Sequence, residues 1–156
     1  MKKQKKLLSS TLRPGSAALA GTIATLAYSV AMEGDKFLIG NYFNDVQFIQ
    51  GILEGQKQTT RGTVLSWAIH IFNGVALAEI YAAVVKRFIP GPGWLKGAIF
   101  GELFIASAWA LTPLADKYHP LIKNGEMPPL ANKKSFVQNL LRHLIFGLTL
   151  GLLYKD

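Results

Sequence analysis

The sequence predicts an all-α integral membrane protein, a bundle of four transmembrane helices forming one domain over residues 1–156. Half of the 156 residues are hydrophobic and 17% are charged, whereas about 25% are charged in an average soluble domain. The charges also cluster, so that Ala17 to Met32 carry none. A helix needs about 20 mostly apolar residues to cross a bilayer. Four segments approach that length, residues 14–33, 63–86, 93–113 and 135–154; a small soluble bundle with unusually apolar helices is the alternative.

An internal repeat organises these segments into two pairs. The pattern H-x3-G-x2-L-x3-Y begins at His70 and recurs 73 residues later at His143. A second pattern, beginning Pro14-Gly15, recurs 76 residues later at Pro90-Gly91. Repeats of this kind indicate duplicated structural units. We therefore expect two parallel helical hairpins, residues 14–88 and 90–154.

The first span begins at Arg13-Pro14, since proline suits the first turn of a helix. The basic N-terminus followed by an apolar run also resembles a signal peptide, but we expect a retained helix because this run is the repeat partner of residues 93–113. The outer connection that follows has apolar residues at helical spacing, at Ile39, Tyr42, Phe43, Val46, Ile49 and Leu53. This stripe predicts an amphipathic helix at the outer membrane interface, with a loop packed on itself as the alternative.

Small residues mark the helix faces that are expected to pack. The second span has a small and polar stripe at spacing four that contains Ser66, His70, Gly74, Ala78 and Ala82. Glycines that let helix backbones approach closely are Gly21, Gly93, Gly97, Gly101, Gly147 and Gly151. The third span closes at Pro113, and the proline-containing residues 114–134 are expected to form an irregular outer loop.

The distribution of charge predicts the orientation. Basic residues collect in the N-terminal segment and in the connection between the second and third spans, at Lys2, Lys3, Lys5, Lys6, Arg13, Lys86, Arg87 and Lys96. Short basic loops stay in the cytoplasm, which places both termini inside, most simply in a bacterial inner membrane. No stacking platform or basic helical face accompanies the net charge of +8, so nucleic-acid binding is not expected. The chain has no cysteine, which excludes thiolate chemistry.

His70 and His143 are the candidate cofactor ligands. The repeat places them at matching depth, and each has a glycine one turn later, Gly74 and Gly147. Imidazole is a common axial ligand of haem, so a haem b held by both histidines, or contact with a quinone or metal, is possible. The competing interpretation is that each histidine hydrogen-bonds to a neighbouring helix.

Charged groups within the spans give a third set of candidates. Glu79 and Glu102 are the carboxylates well inside spans and could form a proton or ion site. The alternative is pairing with Lys86, Arg87 or Lys96 reaching inward. Arg142, next to His143 near the outer end of the fourth span, is expected to contact a lipid headgroup or an acidic partner, with a side chain that simply reaches to the membrane interface as the competing interpretation.

The motifs Ala20-Gly-Thr-Ile-Ala-Thr25, His70-x2-Asn-Gly74-x2-Leu-Ala-x2-Tyr81 and Gly97-Ala-Ile-Phe-Gly101 resemble those of small, uncharacterised bacterial four-helix integral membrane proteins. The resemblance implies a topology and no activity.

Three functions follow as hypotheses. The first is a non-catalytic accessory or structural subunit of a larger membrane complex, with lipid and other membrane subunits as partners, because glycine-faced helices predominate over internal polar groups. The second is a haem- or quinone-contacting electron carrier that uses His70 and His143. The third is a proton or small-solute transporter that uses Glu79 and Glu102; an enzyme acting on lipid is also conceivable, although no nucleophile–base motif is present.

Overall fold

The protein is all-helical in the computed structural model, which describes residues 13–155. Within that range there are seven α-helices, one 3-10 turn and no strand. The helices are α1 (Pro14–Ile39), α2 (Asp45–Glu54), α3 (Thr60–Ala83), α4 (Gly93–Trp109), α5 (Thr112–Tyr118), α6 (Pro120–Lys123) and α7 (Lys133–Leu153), and the 3-10 turn Val85–Arg87 follows α3. The basic residues Lys2, Lys3, Lys5 and Lys6 lie outside the described residues.

Local sequence signals set the ends of the long helices. Pro14 occupies the first turn of α1, and Gly40 ends that helix in the left-handed region at φ 64°, a conformation that costs glycine little. The side chains of Thr59 and Asn132 accept hydrogen bonds from backbone N–H groups in the first turns of α3 and α7. These N-caps satisfy donors that a helix cannot pair internally.

Three helices are long and apolar enough to cross a membrane: α1, α3 with its 3-10 extension, and α7. A fourth span results if α4 and α5, which meet at a bend of 52°, are taken together. The protein therefore has the three to four candidate spans of a multi-pass membrane protein. The bend falls where Thr112 and Pro113 begin α5, because proline cannot continue the preceding helix.

The long helices pack in the spatial order α3, α1, α7, α4. At the α1–α3 crossing, a Cβ added to Gly21 would meet Ala78 Cβ at 2.6 Å. At the α4–α7 crossing, a Cβ on Gly97 would overlap the carbonyl oxygen of Gly147, and one on Gly151 would overlap that of Gly93. Such contacts need glycine because the two backbones touch. In contrast, α3 and α4 have little direct contact.

Two of the segments expected to be outer connections differ from the sequence expectations. The connection after α1 contains a helix, but α2 begins only at Asp45, where Asn44 caps it, while Ile39 still belongs to α1. The segment expected to be an irregular loop contains the helices α5 and α6. Pro120 occupies the first turn of α6, as Pro113 does in α5, so these prolines start short helices instead of preventing them. Pro128 and Pro129 lie in the non-helical stretch that precedes α7.

Candidate functional site

A buried ion-pair network joins α7 to α1 and α2. The guanidinium of Arg142 is fully buried, and its Nε and Nη2 donate to the two carboxylate oxygens of Asp35 at 2.6 and 2.7 Å. Its Nη1 donates to Asp45 Oδ2 at 3.0 Å, and Nη2 also donates to the Phe43 carbonyl. Of the two partners predicted for Arg142, the structure therefore shows the acidic one and not a lipid headgroup. A buried guanidinium needs anionic partners, and the α1–α2 connection brings two carboxylates to it.

Neutral side chains complete this network. The amide of Gln138 donates to Asp35 Oδ1 and to the Asn41 carbonyl, each at 2.8 Å. Asn41 in turn donates to Ser135 Oγ at 3.0 Å. Because these groups come from α1, its following loop and α7, the network fixes the entry of the chain into α2.

His70 and His143 come together on the ring of Tyr28. The ring centroid of Tyr28 lies 5.5 Å from that of His70 and 5.1 Å from that of His143. The Tyr28 hydroxyl donates to Asp45 Oδ2 at 3.0 Å, so the aromatic cluster is connected to the Arg142 network. His70 Nε2 lies 3.2 Å from Ser29 Oγ, and His143 Nδ1 lies 2.8 Å from the Asn139 carbonyl oxygen.

The glycines one turn after the two histidines lie against neighbouring helices. An added Cβ on Gly74 would overlap the hydroxyl of Thr25, and one on Gly147 would overlap the Gly97 carbonyl. These close contacts occupy one side of each glycine, and a haem ligated by both histidines stays a prediction. Among the described residues, no group of three or more histidine, aspartate or glutamate side chains could hold a metal ion.

A cavity of about 620 Å³ lies beside this aromatic cluster, where α3 and α4 stay apart and α2 covers the gap. Its wall is mainly apolar, with the polar groups of α1, α2, α3 and α7 among it. The lining residues are Thr25, Tyr28, Asp45, Phe48, Ile49, Ile52, Leu53, Ile69, His70, Asn73, Gly74, Ala76, Leu77, Ile80, Phe104, His143 and Phe146. Its volume falls within the range of about 300–1,000 Å³ that is typical of small-molecule sites.

The covering helix α2 is held from both of its ends. The ring of His119 stacks on Phe48 at 4.2 Å, and its Nε2 lies 2.8 Å from the Phe48 carbonyl oxygen. At the other end, Glu54 accepts hydrogen bonds from the Thr59 hydroxyl, the Thr59 N–H and the Gln50 amide. These hydrogen bonds lower the pKa of Glu54 from its usual value, with that of the Thr59 side chain the largest cause.

Glu79 and Glu102 are not brought together. Within residues 13–155, neither side chain has a hydrogen bond or salt bridge, and neither lines the cavity. Glu102 keeps one carboxylate oxygen buried without a partner in that range. No salt bridge joins either carboxylate to Arg87 or Lys96 within the described residues, and the transport function expected of Glu79 and Glu102 stays a prediction.

Sequence reasoning missed the residues that connect the site. Tyr28 is 5% exposed and lies between the two singled-out histidines and Asp45, but nothing in its local sequence marks it. Asp35 lies in the last turns of α1 and Asp45 begins α2, and neither was among the candidate residues of the sequence. The usable signal was Arg142, a cation beside an apolar run, for which an acidic partner was one of the predicted contacts.

The sequence model of a family of unknown function (DUF6789) matches residues 12–156, so the chain belongs to that family. Among curated proteins and among solved structures, nothing matches the chain. The family has no assigned function, so the geometry of the site is the basis for a functional proposal.

Proposed function

We propose that this member of the DUF6789 family binds a lipid-soluble molecule of the quinone class in the cavity between α3 and α4. The observation that carries the proposal is the pairing of an apolar cavity with His70, His143 and Tyr28 on its wall. Quinones combine an apolar tail with a small polar ring, and this composition matches such a wall. The histidine site expected from the sequence is thereby interpreted as a contact with a quinone instead of an axial ligand pair.

The charge of the wall argues for a neutral head group. Asp45 is the acidic side chain that lines the cavity, and its carboxylate also accepts from Arg142 and Tyr28. No lysine or arginine lines the cavity within the described residues. An anionic phospholipid headgroup would meet a carboxylate without a free cation to offset it, whereas a neutral ring avoids this repulsion.

A cavity-filling variant tests the proposal. Ala76 lines the cavity, whereas Ala68 lies on the exposed side of the same helix. Ala76→Phe should abolish binding of decylubiquinone to the purified protein in lipid nanodiscs, and Ala68→Phe should leave it unchanged. Trp67, whose ring is 5.9 Å from His70, provides a fluorescence signal for binding. Absence of saturable binding by the wild-type protein, or equal binding by both variants, would refute the proposal.

The topology that accompanies this function is four spans in two parallel hairpins, α1 with α3 and α4 with α7, and an interfacial α2. Corresponding contacts support it, since Gly21 packs on Gly74 and its repeat equivalent Gly97 packs on Gly147. Lys86, Lys96 and Lys155 gather around Tyr154 at one end of the bundle. This end would face the cytoplasm of a bacterial inner membrane by the positive-inside rule.

A second candidate function is that of an accessory subunit in a larger membrane complex. The surface of α3 favours it, because only 22% of its spanning window is buried, against 44% in α1 and 39% in α7. Large apolar side chains such as Phe72 and Ile80 are exposed on this helix. Such a surface suits a second membrane protein or lipid. Phe72→Glu should abolish co-purification of partner subunits in mild detergent if a protein covers it; a preparation that never contains a partner would contradict this function.

A further inference from the structure

We infer that the cavity prefers the reduced, hydroxyl-bearing form of its ligand, a hydroquinone, over the oxidised quinone. This inference rests on the proposed function and concerns the chemistry of the head group. The preference depends on the polar atoms of the cavity wall that have no hydrogen-bond partner. Within the described residues, nearly all of these atoms are acceptors.

The contact of His143 fixes its tautomer. Its Nδ1 lies 2.8 Å from the Asn139 carbonyl oxygen, and a carbonyl oxygen can only accept, so Nδ1 carries the proton. In a neutral imidazole the other nitrogen then holds a lone pair. His143 Nε2 has no hydrogen bond within residues 13–155, and it therefore offers an acceptor to the cavity.

His70 has the opposite tautomer, and it also leaves one ring nitrogen as a free acceptor. The Ser29 hydroxyl donates its single proton to the Thr25 carbonyl at 2.8 Å, which leaves its oxygen as an acceptor for His70 Nε2 at 3.2 Å. His70 Nε2 therefore carries the ring proton. His70 Nδ1 holds the lone pair and, like His143 Nε2, has no hydrogen-bond partner in the described part of the chain.

The neighbouring hydroxyls add no donor. The Tyr28 hydroxyl donates to Asp45, and the Thr25 hydroxyl donates to the Gly21 carbonyl at 2.7 Å. The amide of Asn73 is the donor that remains on the wall. A hydroquinone brings two O–H donors to this set of acceptors, whereas a quinone brings two acceptors that face lone pairs.

The size of the preference follows from these two contacts. Each matched contact changes the dissociation constant by roughly threefold, and an unmatched buried acceptor costs about as much or more. Two contacts therefore correspond to a preference of about tenfold in dissociation constant. The preference should depend on both imidazoles and should vanish when their acceptor nitrogens are removed.

The test compares decylubiquinone with decylubiquinol, kept reduced under anaerobic conditions, on the full chain in lipid nanodiscs. The expected result is a dissociation constant about tenfold lower for the hydroquinone. Equal or tighter binding of the quinone would overturn the inference while leaving the proposed function intact. Failure of both forms to bind would overturn both.

NMR of the labelled histidine ring nitrogens gives a readout that does not depend on any variant. The chain has three histidines, and His119, held against Phe48, serves as the internal control. Decylubiquinol should shift the unprotonated nitrogen resonances of His70 and His143 and leave those of His119 in place. If His143 carries its ring proton on Nε2 in the free protein, the inference is overturned.

Paired variants separate hydrogen bonding from packing. His143→Gln keeps an acceptor oxygen near the position of Nε2, whereas His143→Leu retains bulk without one. Preference for the hydroquinone should largely survive in the first variant and fall several-fold in the second. A preference that is unchanged in His143→Leu would contradict the assignment of that nitrogen as an acceptor.

Discussion

Arg142 and Asp35 form a bidentate salt bridge inside the helix bundle, with the guanidinium fully buried and the carboxylate side chain 9% exposed. The pair joins the second half of α1 to the middle of α7, and Asp45 extends it to α2. Removing one partner of such a pair leaves an uncompensated buried charge, which costs far more than the pair itself contributes. The network is therefore expected to be the most sensitive polar feature of the fold.

Arg142→Met should lower the free energy of unfolding by about 3–5 kcal/mol, because Asp35 and Asp45 would lose their cation. Thermal unfolding in detergent micelles measures the effect. The control is Arg61→Met, an exposed cation at the start of α3, for which about 0.5 kcal/mol or less is expected. Adding Asp35→Leu to Arg142→Met should recover part of the loss, and similar unfolding of Arg142→Met and the control would contradict the role of the network.

Gly97→Ala should destabilise the α4–α7 crossing, because the new methyl group would overlap the Gly147 carbonyl oxygen and neither backbone can easily move. Overpacking of this kind typically costs about 1–3 kcal/mol. Gly34→Ala is the matched control, since Gly34 also lies in a helix but has open space where a Cβ would be. The control should be neutral or stabilising by up to about 1 kcal/mol, as alanine favours helices. Equal melting temperatures of the two variants would show that the crossing tolerates a methyl group.

Acidification should loosen the joint between α2 and α3. The folded-state pKa of Glu54 is lowered by its hydrogen bonds with Thr59 and Gln50. Its contribution is therefore complete above the unfolded pKa of about 4.3 and is lost as the pH falls through the folded value. Protection of the Thr59 amide against hydrogen exchange should decline over that window. Glu54→Gln should abolish this pH dependence and Glu126→Gln should retain it; a pH response unaltered by Glu54→Gln would exclude Glu54 as its source.

Reporter fusions test the orientation of the chain in the membrane. A reporter fused after Asp156 should be cytoplasmic, and one inserted at Gly55, in the turn between α2 and α3, should be external. The physical reason is the collection of Lys86, Lys96 and Lys155 at one end of the bundle. Both reporters on the same side of the membrane would exclude the four-span topology.

Much of the helical framework follows from local sequence. Charge-free apolar stretches predicted the candidate spans, and the small-residue stripe from Ser66 to Ala82 predicted the face of α3 that is buried. These properties depend on residues within a few turns of one another, so composition and periodicity are sufficient to find them. The helix boundaries were less well predicted. The first span was expected to end at residue 33, but α1 continues to Ile39 through the charged residues Asp35 and Lys36.

The sequence by itself determined that the chain is helical and apolar enough to cross a membrane, and it singled out His70 and His143. Tertiary structure alone decided what surrounds them. The contact of both imidazoles with Tyr28, the burial of Arg142 between two carboxylates and the cavity left by the separation of α3 and α4 all depend on which helices touch. Helix pairing is a competition among many similar apolar faces, and close backbone approach at a few glycines settles it. The local spacing of small residues marks a packing face, but it does not encode which helix that face meets.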